Sequence, residues 1–398
     1  MGSTGVRASD TPAGIAGVNN GPMGENVPEP RIIDPWDRFA RFRPITARFA
    51  LFAFFALVAI AAIVPINAGP STIKTQGFSE NVSGETSSVR KRDDDLALYD
   101  RATQRIAQGE HYYEFIVEEQ REAGYPVRPG LAVRLPTLAY ANAVLGQTGQ
   151  TIVAVLLLLA VMAAWWQRLG DEPGGKRYRM LAMSLLFVGA SLGLNRYFFA
   201  LHELWAGMLL ALAFGLHRPA PVEGGKWGAA LGVAALAVAI REHALPFILL
   251  MAAMAAWRQN WKETLAWGAL TLAFLVVLAL HLVVIADQTG STDQAGQGWM
   301  MLRGMSGWIS NIALSSNLRF LPHWLAGPAV MLMMLGWAAW RSPAGKFGTF
   351  LFLGYGVFFM IAGRGDNYYW GAVIAPAMFI GLAYAPMGLK SLVNAARA

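Results

Sequence analysis

The sequence predicts an all-α polytopic membrane protein of about ten transmembrane helices, with juxtamembrane helices in its first outer loop. Three observations predict it. Apolar residues make up 55% of the 398 positions and charged residues only 14%, with a mean hydropathy of +0.39, a balance outside that of soluble chains of this length. The apolar residues gather into ten runs bounded by Gly, Pro and charge. Lys and Arg alternate in density between successive connections, as their enrichment in cytoplasmic loops requires. The chain has no cysteine, which excludes disulfides, thiolate nucleophiles, cysteine zinc sites and iron–sulfur clusters. Its net charge of +7 is spread between the apolar runs and offers no single basic face, so no nucleic-acid partner is expected.

Residues 1–48 are polar, rich in Gly, Pro and Asn, and close on Arg38, Arg41, Arg43 and Arg48; they read as a disordered cytoplasmic tail. The first apolar run, 49–66, lies too deep in the chain for the core of a cleavable signal peptide and reads as a retained anchor. Nine runs follow, at 151–166, 180–194, 197–216, 227–240, 244–257, 264–285, 324–340, 347–362 and 369–387. Several span only 14 to 16 residues, fewer than the roughly 20 that cross a bilayer. Such runs must extend through polar flanks or end at a water-filled cavity.

With the N-terminus inside, the inside segments carry 18 basic residues, against 5 on the outside turns beyond the first loop. Those five are Arg196, Arg241, Arg303, Arg319 and Arg364. The count requires that 131–146, which contains Arg134 and Pro136, does not cross, and that the chain turns back at Arg241-Glu242-His243. Both termini are then cytoplasmic, and the long outer loops are 67–150 and 287–323. No inner connection can hold a nucleotide-binding domain, and Gly175-Lys176 and Gly345-Lys346 lack phosphate-loop spacing. Chemistry is expected on the outer face.

In the first outer loop, Asp93-Asp94-Asp95 opens an amphipathic helix with Tyr99, Ala102 and Ile106 on one side, ended by Gly109. A second helix covers about 112–123, a stiff bend follows over 125–130, and an apolar helix containing Arg134 ends at Gly146. These helices are expected to lie along the membrane and roof the bundle. The aspartates equally suit a plain N-terminal cap.

Asp95 four residues before Tyr99, then Gly109 with Tyr112 and Tyr113, then Arg128-Pro129 and Leu131 feeding a helix that ends in Leu145-Gly146, resemble the first periplasmic loop of GT-C class glycosyltransferases. The similarity covers roughly 49–216 and is to the lipid A aminoarabinose transferases and protein O-mannosyltransferases. It implies that 49–398 form one GT-C-like transmembrane domain, in the inner membrane of a bacterium. It also implies a catalytic aspartate at Asp95, or Asp94 after a one-residue slip, and a second acidic residue at Glu203. The family's Lys-Pro-Pro turn reads Arg128-Pro129-Gly130 here, and no C-terminal soluble domain is expected, where many relatives have one.

The donor so implied is a sugar on a polyprenyl phosphate, and the acceptor is a lipid or glycan hydroxyl. Asp95 would accept the acceptor's proton. The departing phosphate needs fixed cations, for which Arg241, Arg364 and Arg196 at outer helix ends are the candidates; alternatively Arg241 pairs with Glu242 and Arg364 with Asp366 as interfacial anchors. Tyr99, His202, His243, Arg128 and Arg134 are expected around the substrate. His202-Glu203 and Glu242-His243 leave a divalent metal possible, without any compact ligand motif. His281 is expected to be hydrogen-bonded within the bundle. The competing reading is a transporter or flippase of a lipid-linked sugar, in which the same arginines hold phosphate without reaction; no internal repeat supports it. A protease or lipid hydrolase lacks its motifs.

Overall fold

A computed structural model describes residues 36–67, 94–219 and 226–398, and among them every regular element is helical. Residues 1–35 of the expected tail and 68–93 of the first outer loop lie outside the described residues. The rest of the expected tail is ordered. Trp36 O accepts from Arg341 N at 2.8 Å and Arg38 N donates to Ala339 O at 2.9 Å, while Asp37 bridges Trp340. The first helix starts at Pro44, ahead of the boundary at 48, because proline is preorganised for the first helical position.

The chain builds α1 (Pro44–Ile63), the first-loop helices α2 (Asp94–Ala107) and α3 (Tyr112–Glu122), and α4 (Thr137–Asp171). It continues through α5 (Gly175–Ala190), α6 (His202–Leu216), α7 (Gly228–Ile240), α8 (Leu245–Trp257) and α9 (Trp261–Asp287). The last third holds α10 (Gly304–Leu314), α11 (His323–Ala339), α12 (Pro343–Ile361), α13 (Ala375–Met378) and α14 (Gly381–Arg397). Five stretches are long and apolar enough to cross a membrane: α1, Gly130–Asp171 including α4, α9, α12, and Ala375–Arg397 including α14. The helices α6, α7, Glu242–Trp257 with α8, and α11 are apolar but shorter.

Three expectations change. The segments 131–146 and 151–166 join into α4, broken at Gly146, whose φ of 58° and ψ of −178° belong to a region essentially reserved for glycine. The run 369–387 is not one helix: a 3-10 stretch, Gly365–Val373, precedes α13 and α14, and Pro376 has no N–H to continue a ladder from the preceding turn. The outer loop 287–323 contains α10, whose Trp308, Ile309 and Ile312 are buried.

The core runs through the bundle around Trp337, whose ring packs 5.7 Å from Phe214 and 6.2 Å from Trp165. In contrast, α1 and α9 bury only 17% of their most apolar windows, leaving Phe49, Phe52, Leu272 and Leu280 exposed. Apolar surface of that extent matches a lipid environment. A second small core, with Tyr112, Phe115, Ile116, Val127 and Ile285, ties the first-loop helices to the end of α9. That end also takes His281, which bonds Tyr113 Oη at 3.0 Å and Val133 O at 3.1 Å, as expected of a bundle histidine.

Close backbone approach holds the membrane helices together. A Cβ at Gly327 of α11 would collide with Ala61 O of α1, and one at Gly336 with Gly381 O of α14, the small-residue packing that serves where no hydrophobic force separates helix from lipid. Gly336→Ala should therefore destabilise by about 1–3 kcal/mol through overpacking. Gly354→Ala, with open space at its Cβ, should be neutral or slightly stabilising. Thermal unfolding in detergent reads the difference, and equal melting temperatures would refute the close approach.

Candidate functional site

The polar centre forms where α6 begins and α7 ends. These helices pack antiparallel, so the positive end of one macrodipole lies beside the negative end of the other. Glu203 stands in the first turn of α6, and Arg241 is the extended residue that terminates α7. Each carries the charge its helix end favours. Arg241 Nε lies 2.6 Å from Glu203 Oε1, with side chains 1% and 2% exposed, and Arg241 Nη1 lies 2.5 Å from Glu242 Oε1. The Nε contact is an ion pair without the angle of a directed hydrogen bond, and Nη2 has no hydrogen-bond partner among the described residues. Arg241 is thus held by two carboxylates deep in protein. The expected pairing with Glu242 is present; the snorkelling to water is not.

Around this pair the chain brings in residues from distant segments. The His202 ring meets Tyr99 edge-on at 4.9 Å, and Tyr99 Oη accepts from Arg134 Nε at 3.2 Å. The Arg134 carbonyl accepts from Tyr112 Oη at 2.7 Å. His243 lies 3.8 Å from Glu242 through Nδ1 and packs its ring 4.3 Å from Trp370, while its carbonyl accepts from Tyr355 Oη. Trp370 also stacks on Phe358 at 5.8 Å, so it and the buried Trp308 are packing residues rather than free platforms.

Asp95, in the first turn of α2, lines a cavity of about 80 Å³ with Tyr99, Phe198, Arg319, Asp366 and Tyr369, which is room for a few waters. Burial holds the Asp95 carboxyl above the ordinary carboxylate range. A hydrogen bond with Tyr125 and the charge of Arg134 pull the other way, and the nearby charges of Asp366 and Glu203 add to the rise. The two acids expected to act together are therefore in each other's field. Asp94 belongs to the same helical turn.

Arg319 was visible in the sequence only as one of five outer basic residues. It lines the same cavity as Asp95, lies 5.7 Å from the Phe198 ring, and leaves Nε without a hydrogen-bond partner among the described residues. Nothing in its local sequence separates it from an interfacial anchor, because Phe198 and Tyr368 reach it only through the fold. Arg364 forms a fork with Asp366, Nε to Oδ1 and Nη2 to Oδ2 both at 3.1 Å, and its carbonyl accepts from Arg303.

Two sequence candidates stand apart from this centre. Arg196 donates to Gln147 at an exposed turn. Arg128 donates to Gly290 O and its carbonyl accepts from Gly296 N, which fastens one outer loop to the other. Among the described residues no three His, Cys, Asp or Glu side chains gather as a metal-binding group.

Set against protein-family models, curated proteins and solved structures, the chain returns no match.

Proposed function

We propose that the protein is an integral membrane glycosyltransferase that moves a sugar from a polyprenyl-phosphate donor to a lipid or glycan hydroxyl at the outer face of a bacterial inner membrane. The observation that carries this reading is the meeting of Asp95, Arg134, Glu203 and Arg241 at one end of the bundle. They come from four separate segments, beside a cavity that also exposes Arg319. The reading adds a topology of ten spans with both termini cytoplasmic, carried by the basic asymmetry.

In the proposed reaction the acceptor oxygen bonds to the anomeric carbon as the bond from that carbon to the phosphate oxygen breaks. The acceptor proton passes to Asp95, and the phosphate leaves with its electron pair and needs no acid. A single displacement of this kind inverts the anomeric centre. Asp95 suits the task because burial brings its basicity closer to that of a general base working near neutral pH. Among the described residues Arg319 and Arg134 offer guanidinium nitrogens not taken by carboxylates, and Arg241 offers Nη2. Such preorganised donors meet charge where it develops. A flippase would move the same lipid without turnover, so a purified assay with a polyprenyl-phosphate sugar separates the two activities.

Asp95→Asn keeps the size and removes the proton acceptor, so the rate should fall by about 10²- to 10⁴-fold with donor binding retained. Since asparagine caps a helix as well as aspartate does, an unchanged rate would reduce Asp95 to a cap; Asp94→Asn is the control for a one-residue slip. Because the Asp95 carboxyl is raised, the acidic limb of kcat/KM should titrate above the ordinary carboxylate value, with activity gained as pH rises through it, and should vanish in the Asn variant.

Arg319→Lys retains charge but loses the planar fork. Weaker donor use with unchanged melting temperature is expected, whereas wild-type KM and kcat would remove Arg319 from the phosphate site.

The topology is tested in this naturally cysteine-free chain. An impermeant thiol reagent applied to intact cells should label Gln104→Cys and spare Lys176→Cys; the reverse pattern overturns the orientation.

A further inference from the structure

A second cavity, of about 450 Å³, lies at the far ends of α6, α8 and α12 from the Glu203–Arg241 centre. The 15 residues of α6 separate the two by about 22 Å. Five cations line it: Arg38, Arg168, Arg258, Arg341 and Lys346. The carboxylates nearby are fewer. Glu172 accepts from Arg168 Nε at 3.1 Å; Glu263 lies 2.7 Å from His217 Nε2 and 3.3 Å from Arg258 Nη2; Asp37 precedes Arg38 and accepts from the amides of Phe39 and Ala40.

Among the described residues Arg258, Lys346 and Arg38 keep donors to spare. Arg258 Nε has no hydrogen-bond partner among the described residues. Lys346 has no carboxylate within ion-pair distance among them, and its Nζ rests 4.8 Å over the Trp257 ring. Among the described residues the side chain of Arg38 donates to Trp340 O, at 3.4 Å. Burial, and after it the charge of Arg341, hold the Arg38 guanidinium below its usual range. Lys346 also sits in the first turn of α12, a 19-residue helix capped by Ser342, where the macrodipole disfavours a cation. An anion in the cavity relieves each of these conflicts at once, because the helix N-terminus and the guanidinium and ammonium donors all favour negative charge.

We propose that this cavity binds a phosphate-bearing anion, and that it is a site separate from the outer cavity at Asp95. Phosphate fits the donors better than a single carboxylate does, since several guanidinium and ammonium groups from different helices face one volume, and arginine's fork matches phosphate oxygens. The volume falls in the range of small-molecule sites. Trp257 and Trp261 beside it are 70% and 61% exposed, as aromatic residues are at a membrane interface, so the phosphate is that of a lipid headgroup or of a soluble anion that reaches the same end.

Binding is measured on the purified full chain in detergent with three probes: dioctanoyl phosphatidic acid, dioctanoyl phosphatidylcholine and inorganic pyrophosphate. Arg319→Gln serves as the background, so that the outer cavity does not contribute. Phosphatidic acid or pyrophosphate should bind at least tenfold more tightly than phosphatidylcholine. Lys346→Gln and Arg38→Gln should each weaken that binding about tenfold, and Lys346→Arg should largely retain it. Binding of phosphatidic acid that pyrophosphate does not displace assigns a lipid source; displacement assigns a soluble one. No preference over phosphatidylcholine, or equal affinity in the folded Gln variants, overturns the site. Should Lys346→Gln not fold, the partly exposed Arg38 supplies the deciding variant. None of these outcomes depends on glycosyl transfer at the outer end.

Discussion

A carboxylate and a guanidinium withdrawn from water together, Glu203 and Arg241, set the geometry of one end of the bundle. Desolvating two such ions costs several kcal/mol each, which their attraction repays only in good geometry with further partners. Here Glu242 provides a second carboxylate, and the opposed ends of α6 and α7 supply dipoles of the right sign. Losing one partner of such a pair costs about 3–5 kcal/mol, because the other charge is left buried alone. The pair therefore fixes where α7 stops and where the short turn Glu242–Ala244 begins. That turn brings His243 to Trp370 and so positions the 3-10 stretch that carries Arg364 and Asp366.

The first outer loop is assembled onto this fixed end. His202 follows from the position of Glu203, Tyr99 packs on His202, and Arg134 bonds Tyr99, so the helix bearing Asp95 is registered to the bundle through aromatic edges. Its far side is fastened differently. Arg101 and Arg105 meet Glu119, and Arg121 joins Asp293 at 2.7 Å. The arginines of these pairs are 34–46% exposed, and ion pairs open to water contribute little singly. Together with the small core around Phe115 and Ile285, they bind α2 and α3 into one cover over α9.

Much of this was legible in the residues. Apolar length located most helices within a few positions, because burial in lipid or protein constrains every turn of a span. Gly109 and Gly124 marked the ends of α2 and α3, and both take positive φ. The pairing of Arg241 with Glu242 was readable because the two are neighbours in sequence. Its bond to Glu203 was not, since that contact depends on α6 and α7 packing antiparallel. Arg319 escaped for the same reason. The break at 365–378 was hidden because apolar content does not distinguish a span from a buried irregular segment. Gly371 against Asn311 O and Gly207 against Ala372 O are what make that segment fit, and neither contact has a local signature.

The short helices acquire a physical sense from the two polar ends they connect. At 15, 13 and 13 residues, α6, α7 and α8 span about 20–22 Å, less than the roughly 30 Å of a hydrocarbon core. At least one polar end must then lie below the membrane interface, and ionisable groups at that depth must be enclosed by protein. They are: all but two residues of α6 are buried, while the 27-residue α9 and the 20-residue α1 turn most of their surface outward. The long α1 and α9 turn outward, whereas the short α6 is enclosed and joins a polar cluster at either end. The enclosure of Glu203 and Arg241, with side chains 1–2% exposed, is therefore what the shortness of α6 and α7 requires of the ions at their ends.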